Sequence, residues 1–148
     1  LGGPQAGIIA GDADLVAACA RHPLARALRP GSLVLGALQA TALAYLRNDG
    51  QAIPFWRMAS APVDELRSRA VALGIGDVID VMSTPGGGTL PGIEMPSAGV
   101  AINGDRRVAL RERERPLIGR MIDGRTVIDM RTVHPDDDGE VAEALASL

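Results

Sequence analysis

No lysine occurs anywhere in the 148 residues, so all fifteen basic side chains are arginine. A carbonyl cofactor held as a Schiff base needs a lysine amine, and this chain has none to offer. A disulfide framework is excluded because Cys19 is the single cysteine, and a lone thiol fits a reducing, cytoplasmic compartment. Aromatic residues make up only 2% of the chain. Phe55 and Trp56 are too few to stack a row of bases and are expected to anchor a core at a domain junction. The longest apolar run, Leu33 to Tyr45, is interrupted by Gln39 and is too short to cross a bilayer. No basic-then-apolar leader opens the sequence, so no signal peptide is expected in it. Metal ligands are equally scarce: Cys19 and His22 lie three apart with no further ligand nearby. They read as a buried cysteine and a helix-boundary histidine, and His134, before Pro135, as a loop residue.

What is present is ordinary for a globular protein: 47% hydrophobic residues, 22% charged, and a net charge of −3. That is enough chain for one domain or slightly more with a real core. Twenty-three alanines beside an all-arginine basic set point to a GC-rich genome rather than to function. The chain opens on Leu1 and a glycine-rich stretch, which reads as the middle of a longer protein.

LGGPQAGIIAG at 1–11 suggests a glycine loop running into a buried strand at Ala6 to Ala10. Asp12 is placed to cap a helix through Ala20, with Leu15, Val16 and Cys19 on its inner face. Pro23 and Pro30 bound a helix of one or two turns. Ser32 is expected to cap a long helix to about Arg47, ended by Asn48-Asp49-Gly50. Beyond residue 50, the spacing predicts a helix over Pro62 to Leu73 and strands at Val78 to Met82 and Gly99 to Ile102. A charged helix is expected from Asp105 to about Glu114. Asp123-Gly124, between the alternating segments Leu117 to Ile122 and Thr126 to Met130, is a strong hairpin signal. Asp136-Asp137-Asp138 opens a last helix. The second part thus reads as β–loop–β–α–β–β–α, an α+β domain with a small mixed or antiparallel sheet and helices on one face.

Three features bear on chemistry. Gly2-Gly3-Pro4 and Gly86-Gly87-Gly88 allow positive φ and expose N–H groups to a phosphate or oxyanion, or else they are flexible turns. Neither is a P-loop, because no Gly-Lys-Ser/Thr follows. Arg26 and Arg29, three apart, are expected to share a helical face, either as a clamp for a phosphate-like anion or as a solvated surface pair. Arg106 to Arg115 is a solvated helix face or a contact for a polyanion such as RNA; residues 105–131 hold eight arginines against five acids.

Taken together, LGGPQAGIIAG at 1–11, HPLARALRP at 22–30, SLVLGALQATALAYL at 32–46, TPGGGTLPGIEMPS at 84–97 and PLIGRMIDGRTVIDMRTVHP at 116–135 resemble bacterial selenocysteine synthase, the L-seryl-tRNA(Sec) selenium transferase family. The resemblance implies a fold type I, α/β enzyme that depends on pyridoxal 5'-phosphate. Its substrates would be tRNA(Sec) charged with serine and selenophosphate, and it would assemble as a dimer-based ring. In that family the cofactor lysine precedes the Leu-Gly-Gly-Pro-Gln motif, immediately upstream of Leu1. No catalytic residue and no metal ligand is therefore expected within this chain. Residues 1–50 correspond to the tail of the large cofactor domain and 51–148 to the small C-terminal domain. The resemblance assigns Arg26 and Arg29 to the selenium donor and Gly2, Gly3, Pro4 and Gln5 to the wall of the cofactor pocket. It sets Gly86, Gly87, Gly88 and Thr89 at the substrate mouth. The 148 residues alone are expected to be inactive. The alternatives are a paralogous fold type I β-eliminase or ammonia lyase, and a non-catalytic assembly module.

Overall fold

The computed structural model describes residues 2–86 and 92–148. Its contacts divide the chain into two compact units, Leu1–Arg57 and Met58–Leu148.

In the first unit, caps set the helices. The Asp12 carboxylate accepts from the N–H groups of Asp14 and Leu15 at 3.0 and 3.1 Å, opening α1 (Ala13–Arg21). His22 opens α2 (Pro23–Ala27) by accepting the Leu24 N–H on Nδ1 at 3.2 Å. The long α3 spans Ser32–Leu46, but its N-cap is Gly31 and no side chain caps it, so Ser32 is the first helical residue and not the cap. Asn48, at φ 55°, turns the chain out of the helix. A short helix not anticipated from the sequence, α4 (Pro54–Ser60), begins with proline in its first turn.

The strand expected at Ala6 to Ala10 does not form; these residues are exposed and irregular. A strand needs a neighbour for its N–H and C=O groups, and no described residue before Arg57 forms one. Nor is Cys19 buried. No residue of α1, α2 or α3 is buried, so the Leu15, Val16, Cys19 face meets no core. Trp56 is exposed too: it stands edge-on to Phe55, ring centres 5.0 Å apart, and its indole N–H donates to the Tyr45 hydroxyl.

The second unit holds α5 (Val63–Ala72), β1 (Asp77–Ser83), β2 (Met95–Asn103), α6 (Arg107–Arg111), β3 (Arg120–Ile122), β4 (Arg125–Asp129) and α7 (Asp138–Ala146). Its sheet has the order β1-β2-β4-β3, and every pairing is antiparallel, so the mixed alternative falls away. The Asp123-Gly124 turn joins β3 to β4 with both residues at positive φ, 48° and 75°, which matches the twist of a two-residue hairpin. Strand alternation sends Ala98, Val100 and Ile128 to one face. There they pack with Leu66 and Ala70 of α5 and with Val141, Ala144 and Leu145 of α7. Leu110 of α6 and Met130 complete this core. The opposite face carries the smaller cluster Val81, Ala101 and Val127.

The charged helix is shorter than its sequence suggested. After Leu110, the one buried residue of α6, the chain leaves the helix, and the Leu117 N–H returns to the Leu110 carbonyl at 2.9 Å. Pro116, just before, has no N–H to continue a helical ladder.

Candidate functional site

Arg26 lies in the last turn of α2, but the helix ends at Ala27, and Arg29 follows the Leu28 cap. The two therefore do not share a helical face as their spacing suggested. Pro30 is the physical reason: it disfavours helical φ and ψ at the residue before it. Both guanidiniums are exposed, and the described residues give neither a hydrogen bond nor an ion pair. They are two uncommitted cations in a nine-residue segment between His22 and Pro30.

Gly2 and Gly3 have a local reason to be glycine. Gly2 sits at φ 74°, and a Cβ there would run into Cγ2 of Ile53; one at Gly3 would lie 3.0 Å from Oγ1 of Thr41. Close approach at this loop is thus occupied by side chains of the chain itself. Gln5 is exposed and Pro4 partly so. With no lysine amine in the sequence and the glycine cradle filled by Ile53 and Thr41, these residues do not fit pyridoxal phosphate unaided. Gly86 adopts φ 135°, with open space around its Cα, while Gly87, Gly88 and Thr89 lie outside the described residues. Among the described residues, no three His, Cys, Asp or Glu side chains are grouped to hold a metal ion.

Half of the charged side chains in the 105–115 stretch are already engaged. Arg107 donates to Asp105 through Nε at 2.9 Å and Nη2 at 2.8 Å, and its backbone N–H reaches the same carboxylate at 3.1 Å. Arg115 bridges Asp137 and Glu140, and Arg113 donates to the Ser147 hydroxyl. The Arg107 side-chain hydrogen bonds, with smaller help from its N–H and charge, lower the Asp105 carboxyl from its ordinary 3.8 to about 2. A depressed carboxyl keeps its ion pair above the ordinary value and loses it as pH falls from 3.8 towards 2. Carboxyl-carbon NMR of Asp105 should give a midpoint near 2, and Arg107→Gln should return it towards the ordinary range. A midpoint that ignores the substitution would show that Arg107 is not the cause.

The most connected polar cluster is one that composition and spacing do not announce. Asp129, at the end of β4, accepts from Ser83 Oγ at 2.5 Å, Ser97 Oγ at 2.6 Å and the Arg131 N–H at 3.1 Å. Arg120 Nη2 approaches the same carboxylate at 3.3 Å. Register places Ser83, Ser97, Arg120 and Asp129 on the sheet face opposite α5 and α7. They border a recess of about 180 Å³ that Thr84, Gly119 and Thr132 also line. The one available signal was a serine on the inward side of each of β1 and β2, in phase with Val81. A larger cleft of about 510 Å³ lies against α7, floored by Leu117, Val133 and Val141 and rimmed by Arg115, His134 and Glu140. Arg131, beside Asp129, is buried at 5% exposure and donates to four backbone carbonyls, those of Met58, Ala59, Ala61 and Pro96.

Comparison with known proteins gives one consistent result. The sequence model of the SelA family, L-seryl-tRNA selenium transferase, matches residues 1–134. A relative from Hyphomonas neptunium named L-seryl-tRNA(Sec) selenium transferase is 38% identical; the match covers all of this chain and 36% of the relative. A Moorella thermoacetica protein of the same name is 41% identical, over 98% of this chain and 35% of its own length. One from Aquifex aeolicus is 36% identical over the whole chain and 36% of its own length. The chain spans little more than a third of the length of these curated relatives.

Proposed function

The chain belongs to the L-seryl-tRNA selenium transferase family, and from that premise we propose that it is the C-terminal portion of an enzyme that converts seryl-tRNA(Sec) to selenocysteinyl-tRNA(Sec) with selenophosphate as donor. The observation that carries this reading is the family match across residues 1–134. The fraction of each relative covered and the absence of lysine both favour a portion over a complete enzyme. Residues 1–50 are assigned to the large cofactor-binding domain and 51–148 to the small domain. The enzyme is cytoplasmic and homo-oligomeric in this reading; among the described residues, no helix is long and apolar enough to cross a membrane.

Arg26 and Arg29 bind the anionic donor. Each presents a planar fork of N–H donors that suits an oxyanion, and neither spends it on the described chain. Pyridoxal phosphate supplies the electron sink in the family's chemistry. These residues provide no amine to hold it, so the 148-residue chain has no transferase activity of its own. Given cofactor, seryl-tRNA and selenophosphate, it should transfer no selenium above a protein-free blank. In the longer enzyme, Arg26→Ala with Arg29→Ala should reduce transfer at limiting donor by about two orders of magnitude. That corresponds to roughly 1.5 kcal/mol for each charge-assisted hydrogen bond removed, and saturating donor should recover part of it. Transfer unchanged at limiting donor would remove both arginines from the donor site.

A further inference from the structure

We propose that the recess beside Arg120, on the sheet face away from α5 and α7, is a phosphate-oxyanion site with Arg120 as its cation. This goes beyond the donor site assigned to Arg26 and Arg29, because it lies in the Met58–Leu148 unit and uses none of the same residues.

The arginines of this unit differ in how fully their donors are satisfied. Arg69 grips Asp138 through Nε at 2.9 Å and Nη2 at 2.6 Å, and it also donates to the carbonyls of Met130 and Val133. Arg131 spends both terminal nitrogens on four carbonyls, although its Nε, like that of Arg120, is buried without a partner among the described residues. Arg120 has a single contact, to Asp129 at 3.3 Å, longer than the roughly 2.7–2.9 Å of a committed N–H to carboxylate bond. Its Nε is buried with no acceptor, yet the side chain as a whole keeps 41% exposure, which therefore lies away from Nε. A guanidinium drawn partly out of water and given one long contact has donor capacity to spare, which an anion or a water can take up.

Asp129 does not fill that role. Its carboxylate is already met by the Ser83 and Ser97 hydroxyls and the Arg131 N–H, so its charge does not depend on Arg120. The recess walls add the Thr84 hydroxyl and the Gly119 backbone, which suit a tetrahedral oxyanion, while the Thr132 hydroxyl already donates to the Asp129 carbonyl at 2.9 Å. At about 180 Å³ the space is below the roughly 300 Å³ at which sites for whole small molecules begin. A phosphate group fits this chemistry, whether free or part of an RNA backbone.

The test is equilibrium dialysis of the 148-residue chain carrying Arg26→Ala and Arg29→Ala. Those changes silence the donor site proposed above, so failure here and failure there stay distinct. The two probes are labelled inorganic phosphate and the single-stranded trinucleotide CCA. Phosphate should bind, Arg120→Met should weaken binding at least tenfold, and Arg125→Met, on the same face but paired with Asp77, should change it less than twofold. Tighter binding of CCA than of phosphate assigns the site to an RNA backbone; the reverse assigns it to a free anion. No binding of either probe, no effect of Arg120→Met, or equal losses from both methionine variants would each overturn the proposal. If Arg120→Met loses cooperative unfolding by circular dichroism, Arg120→Lys replaces it. That variant keeps the charge but not the fork and should weaken binding at least threefold; unchanged affinity overturns the proposal.

Discussion

Replacing Arg131 by methionine is expected to destabilise the Met58–Leu148 unit by about 3 kcal/mol. The side chain is 5% exposed and has no carboxylate partner; its charge is met by carbonyl dipoles alone. Nη1 donates to Met58 at 2.8 Å, Ala59 at 3.1 Å and Ala61 at 2.9 Å, the carbonyls where α4 ends and the chain turns towards α5. The last carbonyls of a helix have no partner within it and carry its negative pole, so a cation there satisfies both needs. Nη2 reaches across to the Pro96 carbonyl in β2 at 2.6 Å, which ties the α4–α5 link to the sheet. Methionine fills much of the volume but leaves four carbonyls without this donor. Arg131→Lys should lose nearly as much, because one ammonium cannot span both groups of carbonyls. Urea unfolding of the 148-residue chain at low protein concentration measures this directly. A loss below about 1 kcal/mol would mean that water replaces the guanidinium and that Arg131 does not hold the unit together.

Much of the second unit was readable from its residues because its signals are local. Asp123-Gly124 demands positive φ at two successive positions, and only a tight hairpin turn uses that. In the first unit Asp12 and His22 mark helix starts in the same local way, whereas His134, expected as a loop residue, caps its turn through Nδ1 just as His22 does. The strand at 6–10 failed for a non-local reason: hydrophobic residues make a strand only where a sheet edge receives them. Arg26 and Arg29 could be picked out because two prolines frame them, yet the same Pro30 breaks the shared face their spacing implied. The Asp129 cluster stayed hidden because its partners, Ser83 and Ser97, are 46 and 32 residues away in sequence. Only strand register brings them together. Arg131 was hidden for a related reason, since backbone carbonyls leave no trace in a sequence.

The Leu1–Arg57 unit is expected to drive self-association of the isolated chain. Helix α3 is apolar on every side, as a helix is when protein surrounds it, yet Leu33 and Leu46 stand 88% and 80% exposed. Ile8 and Ile9 are exposed on the segment that formed no strand, and Leu15, Leu24 and Leu28 on and around α1 and α2. So much apolar surface is unfavourable in water and is relieved when another protein surface covers it. In the proposed enzyme, the remainder of the large domain supplies that cover; in the isolated chain, only a second copy can. Sedimentation at micromolar concentration should therefore show dimers or larger species. Leu33→Glu with Leu46→Glu should return the chain to a monomer without changing the unfolding of the Met58–Leu148 unit. A wild-type monomer would instead favour an autonomous, non-catalytic module, because a segment evolved to sit inside a larger domain would not stay soluble and single with these side chains uncovered.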